Sequence, residues 1–124
     1  MMIDRKNALK DKSFAFSIRI INLYKYLGKS KKEFVISNQL LRSGTAIGAL
    51  IREAQNAESG KDFIHKLGIA QKECDESLYW LELLKETNYL TEIEFVSINI
   101  EGIELLKMLR SAIVTSKRNA TNNL

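Results

Sequence analysis

Apolar residues recur every three or four positions along most of this chain, the spacing that lines one face of an α-helix. Near residues 8–28, Phe14, Ile18 and Ile21 form one row, and Phe16, Ile20, Leu23 and Leu27 a second. Near 31–57, Ile36, Leu40, Ile47, Ile51 and Ala54 share a stripe. Near 60–87 the repeating positions are Phe63, Leu67, Ala70, Cys74, Leu78 and Leu81. Near 92–117, Phe95, Ile98, Gly102, Leu105 and Leu109 make one row, and Val96, Ile100, Ile103 and Leu106 another. No stretch alternates apolar and polar residues as a half-buried strand does. A helix packed on one side needs a single row. The first and fourth helices carry two, so the surplus is either deep core or a subunit interface.

Polar punctuation separates these runs. Three segments have the form of a capping box, in which an N-cap hydroxyl and an acidic residue three positions on satisfy each other's backbone donors. They are Ser30-Lys31-Lys32-Glu33, Ser59-Gly60-Lys61-Asp62 and Thr91-Glu92-Ile93-Glu94. Leu90 and Phe95 flank the third as a hydrophobic staple, and Gly28 stands where the first helix is expected to stop. Short loops between long helices predict antiparallel neighbours. The expected fold is all-α, a single up-down-up-down four-helix bundle over residues 1–118 with a fraying polar tail at 119–124.

The second helix is unusual in its middle, where Ser43, Gly44, Thr45, Gly48 and Ala49 crowd together. Glycine costs about 1 kcal/mol against alanine in a helix interior. The expected reason is close approach of a neighbouring helix. Gly44-x-x-x-Gly48 lacks the Lys-Ser/Thr that would make it a phosphate loop.

Composition adds bounds. At 124 residues the chain makes one domain, and it has no proline to interrupt a helix. Its single cysteine, Cys74, permits no intrachain disulfide and fits a reducing, cytoplasmic setting. No apolar run approaches the length of a membrane span or a signal peptide, so no membrane partner is expected.

The net charge of +4 is unevenly placed. Residues 1–32 hold nine cations (Arg5, Lys6, Lys10, Lys12, Arg19, Lys25, Lys29, Lys31 and Lys32) against Asp4 and Asp11, a sum of +7, so the remainder sums to −3. Such asymmetry points to an anionic partner, with a solvated basic surface as the plainer alternative. Those nine residues are the candidate nucleic-acid contacts. Attraction of this kind is sequence-independent and names no particular target.

Chemistry is scarce. Glu53, Glu73 and Glu76 invite comparison with di-metal bundles, which use Glu-x-x-His on two helices. No His follows a Glu at that spacing, and the one His, His65, reads as a surface residue. The carboxylates read instead as ion-pair partners of Arg42, Arg52 or Lys72, with a buried pair fixing register. Cys74 falls on an apolar row and reads as core. Tyr79 and Trp80 point about 100° apart, one toward core and one toward an interface. No metal, cofactor or catalytic set is expected, and no enzymatic activity.

Several segments resemble one family over nearly the whole chain. They are Ser37-x-Gln39-Leu40-Leu41-Arg42-Ser43-Gly44-Thr45-Ala46-Ile47-Gly48-Ala49, then Arg52-Glu53-Ala54, Ser59-x-x-Asp62-Phe63-Ile64, and Glu76-x-x-Tyr79-Trp80-Leu81. Together they resemble the four-helix-bundle family of the 23S ribosomal RNA intervening-sequence protein. One departure is Leu50, where that family usually has Asn. The resemblance implies a ring-like homopentamer without established catalytic residues. Its members are encoded within insertions of large-subunit ribosomal RNA genes. A related branch, the accessory variability proteins of diversity-generating retroelements, binds nucleic acid and partners a reverse transcriptase. The resulting expectation is an oligomeric bundle that binds RNA or DNA backbone through its basic first helix and first loop. The alternative is a scaffold ring that docks a protein partner such as a reverse transcriptase.

Overall fold

The computed structural model describes the backbone of residues 5–122 and the side chains of residues 8–121. Four helices follow in order, α1 (Arg5–Lys31), α2 (Val35–Gln55), α3 (Gly60–Glu86) and α4 (Glu92–Asn122), with no strand among the described residues. Backbones approach one another around the cycle α1–α2, α2–α3, α3–α4 and α4–α1, and among the described residues neither diagonal pair does. That is the up-down-up-down bundle, with helices of about 30–45 Å at 1.5 Å per residue.

The periodic rows explain the packing, but the bundle uses only one row per helix. Phe16, Ile20 and Leu27 of α1, Leu40, Ile47 and Ile51 of α2, Leu67, Cys74 and Leu81 of α3, and Leu105 and Leu109 of α4 are all but sealed from solvent. The surplus rows face outward. Phe14, Ile18 and Ile21 are 54%, 46% and 38% exposed, and Val96, Ile100 and Ile103 are 39%, 58% and 38% exposed. Leu106 turns inward. The surplus is therefore surface within this chain, and deep core is ruled out for it.

The boundaries separate true caps from a false one. At α4 the box closes fully: Glu94 N–H donates to Thr91 Oγ1 (3.1 Å) and Thr91 N–H donates to Glu94 Oε1 (2.8 Å). At α3, Asp62 N–H donates to Ser59 Oγ (3.1 Å), while the Asp62 carboxylate accepts from Glu58 N–H (3.3 Å) rather than from Ser59. The first box does not form. α1 runs through Gly28 and Ser30 to Lys31, and the chain turns at Lys32, whose φ is 55°. Glu33 then caps α2 alone. Its carboxylate accepts from the N–H groups of Val35 (3.0 Å), Ile36 (3.0 Å) and Ser37 (2.7 Å). One carboxylate satisfies three of the four donors that a helix start leaves open. α3 ends in a Schellman motif with Asn88 left-handed (φ 68°): Tyr89 N–H reaches Leu84 O (2.8 Å) and Asn88 N–H reaches Lys85 O (3.0 Å). α4 continues past the expected end at 117 to Asn122, since neither Gly nor Pro stops it.

The small residues of α2 divide similarly. Ser43 and Gly44 are buried, Thr45 and Gly48 are half-buried, and Ala49 is exposed. A Cβ on Gly44 would stand 2.8 Å from the sealed Ile20 side chain of α1. A Cβ on Gly48 would meet Ser13 and Ser17 at an ordinary 3.5 Å. Ser77 of α3 donates to Ser43 Oγ (2.8 Å), and Ser43 in turn to the Leu40 carbonyl (3.4 Å), so the polar pair between α2 and α3 is satisfied.

Candidate nucleic-acid interface

The nine candidate cations do not form one strip. Arg5 and Lys6 lie in the first turn of α1, and their side chains fall outside the described residues. Lys12 and Arg19 are turned onto α4. Lys12 pairs with Glu104 (2.6 Å) and Arg19 with Glu101 (3.2 Å), and Arg19 also donates to the carbonyl and hydroxyl of Ser97 (3.1 and 3.0 Å). These bonds hold the α1–α4 seam. Lys10 is half-buried near the start of α1.

Lys25, Lys29, Lys31 and Lys32 are different. All four are exposed, and none pairs with an acidic group among the described residues. They occupy the last turns of α1 and the α1–α2 corner, one end of the bundle. The α3–α4 corner shares that end, and two of its carboxylates are already engaged: Glu92 with Lys85 (3.0 Å) and Glu94 in its cap. The cationic corner therefore faces solvent, its lysines outside ion-pair distance of any carboxylate among the described residues.

The corner is rigid for local reasons. Lys32 makes the turn, and Glu33 N–H donates back to the Leu27 carbonyl (3.0 Å). Burial works against charge on Glu33, yet the three backbone N–H bonds prevail and hold its pKa below the ordinary carboxylate value. Because Glu33 consumes the first N–H groups of α2, anion binding at this corner falls to lysine side chains. Two apolar residues stand among them, Phe34 at 53% and Val35 at 75% exposure. The Phe34 ring rests on Gly28, where a Cβ would come within 3.2 Å of Cε1. The sequence reading placed Phe34 inside a helix and missed it. The signal was available in Lys31-Lys32-Glu33-Phe34-Val35, an apolar pair one residue after a basic pair.

The expected ion pairs of α2 and α3 are partly rearranged. Arg42 bonds both Glu73 (3.1 Å) and Glu76, and the indole N–H of Trp80 donates to Glu76 (3.1 Å). Through its bond to Arg42 the Glu76 carboxyl titrates below its ordinary range, and Arg42 is held above its own. The Arg42 side chain is 53% exposed, so this is a surface cluster. Glu53 pairs with Lys66 (3.5 Å), a partner the sequence did not indicate. Arg52 forms no ion pair among the described residues; its guanidinium lies 5.3 Å over the Phe14 ring. Leu50 is half-buried against the core, an apolar contact where the resemblance expected an amide.

No group of three or more His, Cys, Asp or Glu among the described residues is placed to hold a metal ion. Cys74 is sealed in the core and donates to the Gly102 carbonyl (3.4 Å); burial, reinforced by Asp75, pushes its thiol up to about 12. A thiol that titrates there is almost wholly protonated near neutrality and is a poor nucleophile. No described helix is long and apolar enough to cross a membrane.

Comparison with known proteins agrees with this architecture. The family model of the 23S rRNA-intervening sequence protein matches residues 5–111. A crystal structure of a protein of unknown function from the S23 ribosomal protein family of Bacteroides thetaiotaomicron superposes with a TM-score of 0.88. It is 55% identical, and the match covers 89% of this chain and 98% of that one. Among curated proteins none matches. Four helices in the same order, a cyclic packing and a family match over most of its length place this chain in the 23S rRNA-intervening sequence protein family.

Proposed function

We propose that this protein is a non-enzymatic, self-assembling bundle that binds the backbone of RNA or DNA through the end of α1 and the α1–α2 corner. The observation that carries the reading is the set of four exposed, unpaired lysines, Lys25, Lys29, Lys31 and Lys32. Cations already tied to carboxylates gain little from a phosphate, because the first pairing must be broken. Free ones release condensed counterions when they bind. Ribosomal RNA is the natural first ligand to try, given the family name.

Self-association is supported by the two exposed apolar rows. They lie on opposite flanks of the α1–α4 pair. Phe14 is beneath Arg52 of α2, and Ile103 lies two turns before Arg110, which reaches Asp75 of α3 (3.9 Å). Between them runs the polar Lys12–Glu104 and Arg19–Glu101 seam. Laying the α1 row of one copy on the α4 row of the next is a head-to-tail contact, the kind that closes into rings. A homopentameric ring is our reading of that closure. Such a ring would repeat the lysine corner by symmetry and strengthen its field. The same rows also fit the second reading, a ring that docks a protein partner such as a reverse transcriptase.

The test is binding of a labelled fragment of 23S rRNA at two ionic strengths. Affinity is expected to fall steeply with salt. The triple variant Lys29→Glu/Lys31→Glu/Lys32→Glu is expected to lose binding while melting like the parent. Affinity untouched by both salt and the triple variant overturns the nucleic-acid reading. Capture of one protein partner that survives nuclease would favour the scaffold.

A further inference from the structure

We infer that the α1–α2 corner is built for unpaired nucleotides, single-stranded RNA or DNA, with Phe34 as the platform on which a base stacks. This rests on the nucleic-acid reading above and narrows it. Phe34 is 53% exposed, in a chain that seals Phe16. Yet its position is not loose. One edge lies close over Gly28, where a Cβ would stand 3.2 Å from Cε1, so the absent side chain lets the ring settle near α1. The residues on either side are held too, Glu33 by its three N–H bonds and Val35 as the first residue of α2. A pre-positioned ring loses little freedom on binding.

Lys29, Lys31 and Lys32, all exposed, lie within five residues of Phe34 along the chain, at the same corner. Cations beside an exposed aromatic are the two components of a single-strand site: the cations follow the phosphates while the ring takes the face of a base. A duplex can use only the first component, because its bases are stacked on one another and present no free face. The charges favour a nucleic acid over an apolar protein segment for a further reason. The acidic residue inside the corner, Glu33, is turned inward onto the α2 N-terminus, so it does not repel a phosphate strand from the lysine side.

The experiment measures affinity, by fluorescence anisotropy, of the full chain for a short labelled RNA, for the DNA of the same sequence, and for that RNA annealed to its complement. The parent is expected to prefer the single strands. Phe34→Leu is expected to weaken single-strand binding about ten-fold or more, the loss of one stacked base, and to leave duplex binding and the salt slope unchanged. The triple lysine reversal is expected to weaken all three ligands and to lower the single-strand salt slope by about 2, at roughly 0.7 per phosphate contact. Phe34→Trp is expected to retain affinity and to show fluorescence quenching on adding single strands, a readout available even if Phe34→Leu folds poorly. Unchanged single-strand affinity in Phe34→Leu, with the triple variant still impaired, overturns the stacking role and leaves the broader reading standing. So does a change of assembly size in Phe34→Leu by light scattering, which would make Phe34 a subunit contact. Affinity for all three ligands untouched by both salt and the triple variant overturns both.

Discussion

At the scale of single residues, the glycines show how an identical residue type does unlike work. Gly44 has no room for a methyl group, because Ile20 is sealed and branched and cannot move aside. Gly68 has open space where a Cβ would be, inside α3. Gly44→Ala is therefore expected to lose about 1–3 kcal/mol by overpacking, less whatever helix propensity returns. Gly68→Ala is expected to gain up to about 1 kcal/mol. Urea denaturation of the two variants checks the contrast; equal effects would show that α1 and α2 are not in close contact at Gly44. Glu33 makes a second residue-scale prediction. Its pKa in the fold is below the ordinary 4.5, so its contribution to stability is complete above that value and is lost as pH falls through the lower, folded value. Glu33→Gln is expected to cost about 1 kcal/mol near neutrality and to flatten the stability profile between those two values. Denaturation midpoints measured across that acid range decide it.

At the scale of elements, the three candidate caps looked alike in sequence and proved unlike in space. Thr91 and Glu94 satisfy each other in full, whereas Ser30 lies inside α1 and caps nothing. What separates them is the turn. Lys32 adopts the left-handed conformation, so the break falls two residues later than Gly28 and Ser30 imply. Thr91→Ala is expected to destabilise the protein by about 1 kcal/mol, and Ser30→Ala to leave it unchanged or slightly more stable. Comparable losses in the two would mean that Ser30 starts α2 after all. The periodic rows were fully legible as helical faces. Their fate was not, because two rows on one helix carry the same spacing whichever of them meets the neighbouring helices.

At the scale of the whole molecule, the proposal drawn from the exposed rows on α1 and α4 concerns assembly. A head-to-tail contact predicts a distinctive mixing result. Ile18→Lys spoils one face and Ile100→Lys the other, so each variant alone is expected to lose the parent's assembly. An equimolar mixture is expected to form dimers and nothing larger, since only one sound interface can be made per pair. Light scattering of the three samples reads this directly. A monomeric parent would remove the ring, while larger assemblies in the mixture would place the contact elsewhere.

The sequence by itself determined the all-α bundle, the number of helices, two of the three caps and the family, because each is written in local spacing or in contiguous motifs. Tertiary structure alone decided which apolar rows are buried, which glycine is indispensable, and which cations are free. Lys12, Arg19 and Lys29 are indistinguishable along the chain. Only the arrival of α4 beside α1 pairs the first two with carboxylates and leaves the third in water, because an ion pair depends on what lies across a gap in space and not on what comes next in sequence.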